Sequence, residues 1–210
     1  YLTDKYTFTG YAWFRRSLTL ESDMTGFVSV LTLERTRVST LYIDGAEVGT
    51  CDSLCSTHRY DISSYMTAGT HEIVIRVANV GYKTGGGHMT SPDTQTNWLG
   101  IVGKMNIEIY PKSYISDVRV IASADGLLSL RGCVIGADNA YIMATVTAPD
   151  GIRVLKANII ADGDTFEAEF RLENAQLWDE FERNVYRLTL QCGEDIYNTT
   201  FGFVTFSNID

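Results

Sequence analysis

The sequence contains no run of eighteen apolar residues, which is about the length at which a stretch becomes a candidate for a helix across a bilayer. Cysteine and histidine are also scarce, with four and three residues. Cys51 and Cys55 are close together, but no second close pair follows, whereas a zinc site needs about four ligands. Cys133 and Cys192 lie in two predicted strands, but the alternation of side chains along those strands does not make the two cysteines face each other. We therefore expect neither a metal site nor a disulfide between those strands.

The common catalytic and cofactor motifs are missing too. There is no G-x-S-x-G turn for a serine nucleophile, no P-loop, and no G-x-G-x-x-G that opens a helix. Glycoside hydrolysis requires two carboxyl groups held across a sugar. The 26 Asp and Glu residues lie mostly in predicted turns or on strand faces, and no pair stands out. We predict no catalytic residue and no bound cofactor within this chain.

Positive charge is in short supply. The chain has 17 Lys and Arg residues against 26 Asp and Glu, so its formal net charge is −9. Such a surface repels the phosphate backbone of a nucleic acid and an anionic membrane. Neither is expected as a partner. No signal peptide is visible, and the first residue is Tyr1, which indicates a processed or excised piece of a protein.

What the sequence does contain is strand pattern. Hydrophobic residues make up 45% of it and aromatic residues 11%, enough for a real core. Period-two alternation predicts strands in the segments 11–20, 26–35, 39–50, 70–79 and 103–111. The segment 39–50 carries its own turn at Asp44-Gly45, a strong hairpin sequence. The sequence predicts an all-β protein, and AQLWDEFER (175–183) is its one helical candidate.

A second set of strands begins near residue 113. Seven short strands follow within the remaining residues, separated by turn sequences such as Pro149-Asp150-Gly151 and Gly193-Glu194-Asp195. This spacing is typical of an immunoglobulin-like sandwich. We predict two domains, 1–112 and 113–210, joined by a short linker that favours a fixed orientation.

One long polar loop interrupts the first domain. The segment GGGHMTSPDTQTNWLGIVG (85–103) separates two strands that a short turn could connect. It contains Asp93, Gln95, Asn97 and Trp98, and these residue types bind sugars. Amide and carboxylate groups pair with neighbouring hydroxyls, and an indole stacks on the apolar face of a sugar ring. Asn97 could equally hydrogen-bond loop backbone, and Trp98 could close the end of the sandwich.

Several segments, in order along nearly the whole chain, resemble the front half of glycoside hydrolase family 2 enzymes, the group of β-galactosidases and β-glucuronidases. The family's first strand, its hairpin and its Asp-Ile-Ser stretch are similar to GYAWFRRSLTL, STLYIDGAEVGT and YDISSYMTAGTHEIVIRVAN. The strand that closes its first domain is similar to NWLGIVGKMNIEI, and two late segments are similar to AQLWDEFERNVYRLTL and TTFGFVTF.

The resemblance implies a jelly-roll β-sandwich followed by an immunoglobulin-like β-sandwich. It implies that the glutamates that cleave the glycosidic bond lie on a (β/α)8 barrel beyond Asp210, so this piece alone is expected to be inactive. Its expected partners are that barrel and, in the full-length enzyme, a carbohydrate. Asp93 and Asn97, with Gln95 and Trp98 in support, would contact the sugar. Secretion or a periplasmic location also follows from the resemblance alone.

Two other functions remain open at this stage. The jelly roll could be a free-standing carbohydrate-binding module. The two sandwiches could also be a structural or adhesive pair from a cell surface.

Overall fold

The computed structural model describes residues 8–83, 90–91 and 100–204, and the regular secondary structure of these residues is almost entirely β-strand. They fall into two compact units, one ending at Ile109 and the other beginning at Tyr110. The prediction of an all-β chain is confirmed. Within the described ranges, no helix has the length and apolar character needed to cross a membrane.

The described part of the first unit is built from two sheets. Its strands are β1 (Tyr11–Leu20), β2 (Val28–Leu33), β3 (Val38–Ile43), β4 (Ala46–Cys51), β5 (His58–Asp61), β6 (Gly69–Ala78) and β7 (Met105–Tyr110), with a single 3₁₀ turn at Ser63–Tyr65. One sheet has the order β1-β6-β3-β4 and the other the order β5-β2-β7. Strands that are neighbours in a sheet are therefore often distant in sequence, as the predicted jelly roll requires.

Alternation along the strands builds the core between these sheets. On β6, Ile73, Ile75 and Val77 are buried while the residues between them are not. They pack against Leu41 and Ile43 of β3 and against residues of the second sheet, Leu31, Leu33 and Tyr60. Each fully buried aliphatic side chain contributes about 1.5–3 kcal/mol of hydrophobic stabilisation, so the facing sheets hold each other in place.

The β3–β4 hairpin turns at the two residues the sequence indicated. Asp44 has φ 51° and Gly45 has φ 81°. Two consecutive positive φ values define the type I′ turn, whose twist matches that of the flanking strands. The predicted hairpin is confirmed.

The second unit is a sandwich of seven described strands. They are β8 (Tyr114–Ala122), β9 (Leu127–Ile135), β10 (Tyr141–Thr147), β11 (Arg153–Ile160), β12 (Thr165–Arg171), β13 (Tyr186–Cys192) and β14 (Asp195–Phe201). The sheets have the orders β12-β9-β8 and β11-β10-β13-β14. All of their pairings are antiparallel, and three strands against four is the immunoglobulin-like arrangement that the sequence predicted.

A tyrosine at the start of β13 supports this assignment. Tyr186 is buried, and its hydroxyl accepts a hydrogen bond from the backbone N–H of Gln176 at 2.8 Å. A tyrosine that binds upstream backbone at this point of an immunoglobulin-like sandwich is a tyrosine corner. Its ring packs on Phe203 in an edge-to-face contact, with the ring centroids 5.0 Å apart.

The one helical candidate, AQLWDEFER, does not form a helix. Leu177 and Trp178 form isolated bridges with Phe203 and Arg183. The Asp179 carboxylate accepts the backbone N–H groups of Phe181 and Glu182, at 2.8 and 2.6 Å. An aspartate that binds backbone two and three residues ahead favours a turn over a helix interior.

Candidate functional site

Asp93, Gln95, Asn97 and Trp98 all lie outside the described residues, so their proposed contact with a sugar stays a prediction. What the structure describes is the two ends of the β6–β7 connection that carries them, residues 79–83 and 100–104. We call these ends the entry root and the return root of the loop.

The entry root is tied to the segment before β1. The side chain of Asn79 accepts a hydrogen bond from the Gly10 backbone N–H at 2.8 Å and donates to the Phe8 carbonyl at 2.8 Å. Its own backbone N–H donates to the Gly10 carbonyl at 3.2 Å. One asparagine thus closes three hydrogen bonds where the chain leaves β6, and it sets the direction in which the loop departs.

Beyond Asn79, two residues of the entry root contact charged side chains elsewhere in the unit. Arg37, a residue that is only 2% exposed, has its guanidinium carbon 5.9 Å from the centroid of the Tyr82 ring. Burial raises the pKa of the Tyr82 phenol. Lys83 forms an ion pair with Asp52, whose carboxylate raises the pKa of the Lys83 ammonium group. Tyr82 and Lys83 of the entry root are therefore both in contact with residues outside it.

The return root is pinned to the β2–β3 turn. Gly103 donates to the Glu34 carbonyl at 3.1 Å, and the Glu34 N–H donates to the Lys104 carbonyl at 2.9 Å. The Glu34 carboxylate also accepts the Lys104 N–H at 2.9 Å, and this bond lowers the pKa of Glu34. A Cβ on Gly103 would lie 2.6 Å from the Glu34 carbonyl oxygen, so glycine alone permits this approach.

The return root also forms part of a cleft between β1 and β7, with a volume of about 860 Å³. This is within the range of small-molecule sites. Its floor is apolar and consists of Leu31, Ile73, Ile75, Ile101 and Ile107. No Asp or Glu is among the described residues that line it. The cleft can therefore bind an apolar group, and none of its described lining residues supplies a carboxyl group for acid–base chemistry.

Arg16 is the charged residue of interest in this β1–β7 cleft. It shares strand parity with Phe14 and Leu18, so its side chain is on the cleft side of β1, and it lines the cavity. It has no ion pair or hydrogen bond with any residue that the structure describes. Our sequence reasoning missed this residue. The sequence did contain a signal, namely an arginine at a strand position whose side chain is expected on the inner face of the sheet.

A Ser–His pair in the first unit looks catalytic at first sight. Ser39 Oγ lies 2.6 Å from His58 Nδ1 and 2.7 Å from the Tyr60 hydroxyl, and His58 Nε2 lies 2.7 Å from the Ser53 carbonyl. However, Ser39 and His58 are 0% exposed, so a substrate has no access to either. This network satisfies buried polar groups and joins β3 to β5.

The remaining candidate ligands do not come together. The four cysteines are free thiols. No group of three or more His, Cys, Asp or Glu residues in the described ranges is placed to hold a metal ion.

Comparison with known proteins shows which of them are similar to this chain in sequence and in fold. No family model matches the chain. A curated protein of Formosa agariphila named "Putative beta-glucuronidase" is 22% identical over 188 residues, which are 84% of this chain. A Faecalibacterium prausnitzii β-glucuronidase superposes with a TM-score of 0.74 and 22% identity over 94% of this chain. The fold is that of part of a β-glucuronidase.

A glycosyl hydrolase family 2 member from Bacteroides cellulosilyticus has the same fold, with a TM-score of 0.73 and 14% identity over 94% of this chain. The match covers only part of each relative. The chain spans 22% of the length of the curated relative, and 37% and 27% of the two structures. The two-sandwich fold implied by the resemblance to family 2 is confirmed.

Proposed function

We propose that this chain is the non-catalytic front part of a β-glucuronidase-like glycosidase. It would pack on a (β/α)8 barrel outside these 210 residues and supply a loop to the sugar site of that barrel. One observation carries the proposal. The structural match covers 94% of this chain but only 37% of the F. prausnitzii β-glucuronidase, so most of that enzyme's length lies outside the match.

The chemistry of the described residues agrees with a supporting role. Glycoside hydrolysis needs two carboxyl groups facing each other across the scissile bond. The β1–β7 cleft is lined by no described Asp or Glu, and the Ser39–His58 pair is closed to solvent. The pair of carboxyls would therefore come from the barrel.

The two roots support a positioning role for the loop. The entry root is fixed by three hydrogen bonds at Asn79, and the return root is pinned between Gly103 and Glu34. Groups that contact a substrate from a loop need a firm base, since binding loses free energy when side chains must be ordered first. Asp93 and Asn97 would contact sugar hydroxyls from this base.

The test uses the longer protein and a small aryl β-glucuronide. We expect Asp93→Ala to lower kcat/KM by about tenfold or more, because a hydrogen bond with one charged partner contributes roughly 1.5–3 kcal/mol. Asn97→Ala should lower it by about two- to tenfold, because a hydrogen bond between neutral groups contributes roughly 0.5–1.5 kcal/mol. Asp138→Ala and Asn158→Ala, exposed positions of the second unit, are the matched controls and should leave kcat/KM unchanged.

Two results would count against the proposal. If the longer protein has no barrel and hydrolyses no glycoside, the assignment to a glycosidase fails. If it is active but the loop variants behave like the controls, the assignment survives and the sugar-contact role of the loop is wrong.

A further inference from the structure

The face of the four-stranded sheet that points away from the core carries a cluster of exposed aromatic rings. Trp13 on β1 is 59% exposed and Tyr11 is 54% exposed, although both are on a strand of a well-packed sandwich. The Tyr42 ring on β3 lies 5.9 Å from the Trp13 ring, with an interplanar angle of 32°. With Arg76 on β6 between them, these residues form what we call the outer platform.

Strand register brings the outer platform together. Trp13 is the partner of Arg76 across β1 and β6, and Arg76 is the partner of Thr40 across β6 and β3. Residues directly opposite in neighbouring strands project from the same face. The opposite parity on β6, with Ile73, Ile75 and Val77, faces the core.

Arg76 is held in a defined position by its neighbours. Its guanidinium carbon lies 5.2 Å from the centroid of the Tyr11 ring and 5.8 Å from that of the Trp13 ring. Its Nη2 donates to Thr40 Oγ1 at 2.9 Å, and Thr40 Oγ1 is 2.8 Å from Thr50 Oγ1. Two aromatic rings and one hydrogen bond therefore limit the orientations that this side chain can adopt.

Most of the hydrogen-bonding capacity of Arg76 is unused. A guanidinium has five N–H donors. Among the described residues, only Thr40 accepts a hydrogen bond from Arg76, so one of the five donors is engaged. The carboxylate of Glu72 on the same face is paired with Arg15 at 2.5 Å. The outer platform thus presents a fixed arginine without a carboxylate partner among the described residues.

We propose that the outer platform binds a pyranose that carries a carboxylate, that is, a uronic acid residue of an oligosaccharide. The apolar face of the sugar ring stacks on Trp13 and Tyr42, since aromatic faces pack on C–H surfaces. The carboxylate pairs with the free N–H groups of Arg76, because the planar guanidinium matches carboxylate geometry with two parallel hydrogen bonds. This site needs neither the β6–β7 loop nor a barrel, so it is independent of the proposed function.

The test is a titration of the 210-residue chain with two disaccharides that differ in one group. Calorimetry and NMR monitor the binding. Cellobiouronic acid carries a glucuronate where cellobiose carries a glucose. We expect saturable binding of the acid with a Kd below about 1 mM and at least fivefold weaker binding of cellobiose. Raising the salt concentration should weaken binding of the acid, because the pair with Arg76 is partly screened.

Variants then assign the binding to the platform. Trp13→Ala should weaken acid binding about tenfold, and Trp13→Phe, which keeps a ring, should weaken it less. Arg76→Met should reduce the affinity for the acid to that for cellobiose. Tyr141→Ala and Arg153→Met, which remove an exposed tyrosine and an exposed arginine of the second unit, should bind like the unchanged chain. Circular dichroism of each variant reports its folding.

Four outcomes would overturn the proposal. These are no binding of either sugar, equal affinities for the acid and cellobiose, or full affinity retained by a folded Trp13→Ala chain. The fourth is a concentration-dependent dimer that Trp13→Ala abolishes, which would assign the platform to a second copy of the chain. None of these outcomes bears on the kinetic test of the loop in the longer protein, so the two ideas fail separately.

Discussion

Replacing Gly103 with alanine tests whether the return root of the loop is as tightly pinned as the structure indicates. The new Cβ would lie 2.6 Å from the Glu34 carbonyl oxygen, 2.8 Å from its Cβ and 2.9 Å from its carbonyl carbon. Two of these atoms belong to backbone, which cannot move aside as a flexible side chain can. The segment 102–104 must therefore shift away from the β2–β3 turn.

The cost has two parts. Forcing an extra methyl group into a packed region costs about 1–3 kcal/mol. The shift also weakens the bond from Gly103 N–H to the Glu34 carbonyl, and an internal hydrogen bond contributes roughly 0.5–1.5 kcal/mol. We expect Gly103→Ala to lower the free energy of unfolding of the first unit by about 2–4 kcal/mol.

Gly26→Ala is the matched control in the same unit. No atom lies within 4 Å of its ideal Cβ, and its φ is not among the positive values. Alanine at such a position stabilises by about 0.4–1 kcal/mol, because it restricts the unfolded chain. The two variants make the same chemical change in different surroundings, so their difference isolates the contact with Glu34.

Urea unfolding followed by tryptophan fluorescence provides the measurement. A Trp178→Phe background leaves Trp13 and Trp98 as the reporters, and both are in the first unit. If the unfolding free energies of Gly103→Ala and Gly26→Ala differ by less than about 0.5 kcal/mol, the return root is not pinned as described.

Two further predictions concern stability. Phe203→Ala should lower the free energy of unfolding, measured with urea, by about 3–5 kcal/mol, since Phe203 is 0% exposed. Phe181→Ala, at an 87% exposed position, should change it by less than about 0.5 kcal/mol. Equal effects would contradict the packing described. The Asp44 carboxylate, 2.7 Å from His71 Nδ1, raises the pKa of His71 and has its own pKa lowered. The stabilisation by this pair is therefore complete between about pH 3.9 and pH 6.5, the ordinary pKa values of the two groups. It is lost as the pH rises through the folded-state pKa of His71, and also as the pH falls through the folded-state pKa of Asp44. Asp44→Asn should return the pKa of His71, followed by NMR, towards its ordinary value and remove the fall in stability above neutral pH; an unchanged pKa would show that the pair is not formed.

Local rules predicted most of the strands, because their information is local. β1 begins and ends at the predicted residues 11 and 20, and the Asp44-Gly45 turn has the positive φ values that the dipeptide favours. In each case, alternation or turn chemistry over a few residues specifies the backbone without help from distant contacts.

The helical candidate AQLWDEFER does not form a helix, for a reason that composition does not reveal. Its residues include good helix formers, but Trp178 donates its backbone N–H to the Phe203 carbonyl at 2.9 Å. Asp179 binds the backbone ahead of it. A backbone contact with Phe203, 25 residues later, overrides weak local propensity.

The sequence by itself determined that this protein is built from β-sandwiches, since period-two alternation and turn residues are properties of short segments. Only the tertiary structure decided which side chains meet. Trp13, Tyr42 and Arg76 come from strands far apart in the chain and share one face because of their register, and Gly103 is required by a carbonyl 69 positions away. Register and close approach depend on how distant strands pair, and alternation within one strand carries no information about its partner.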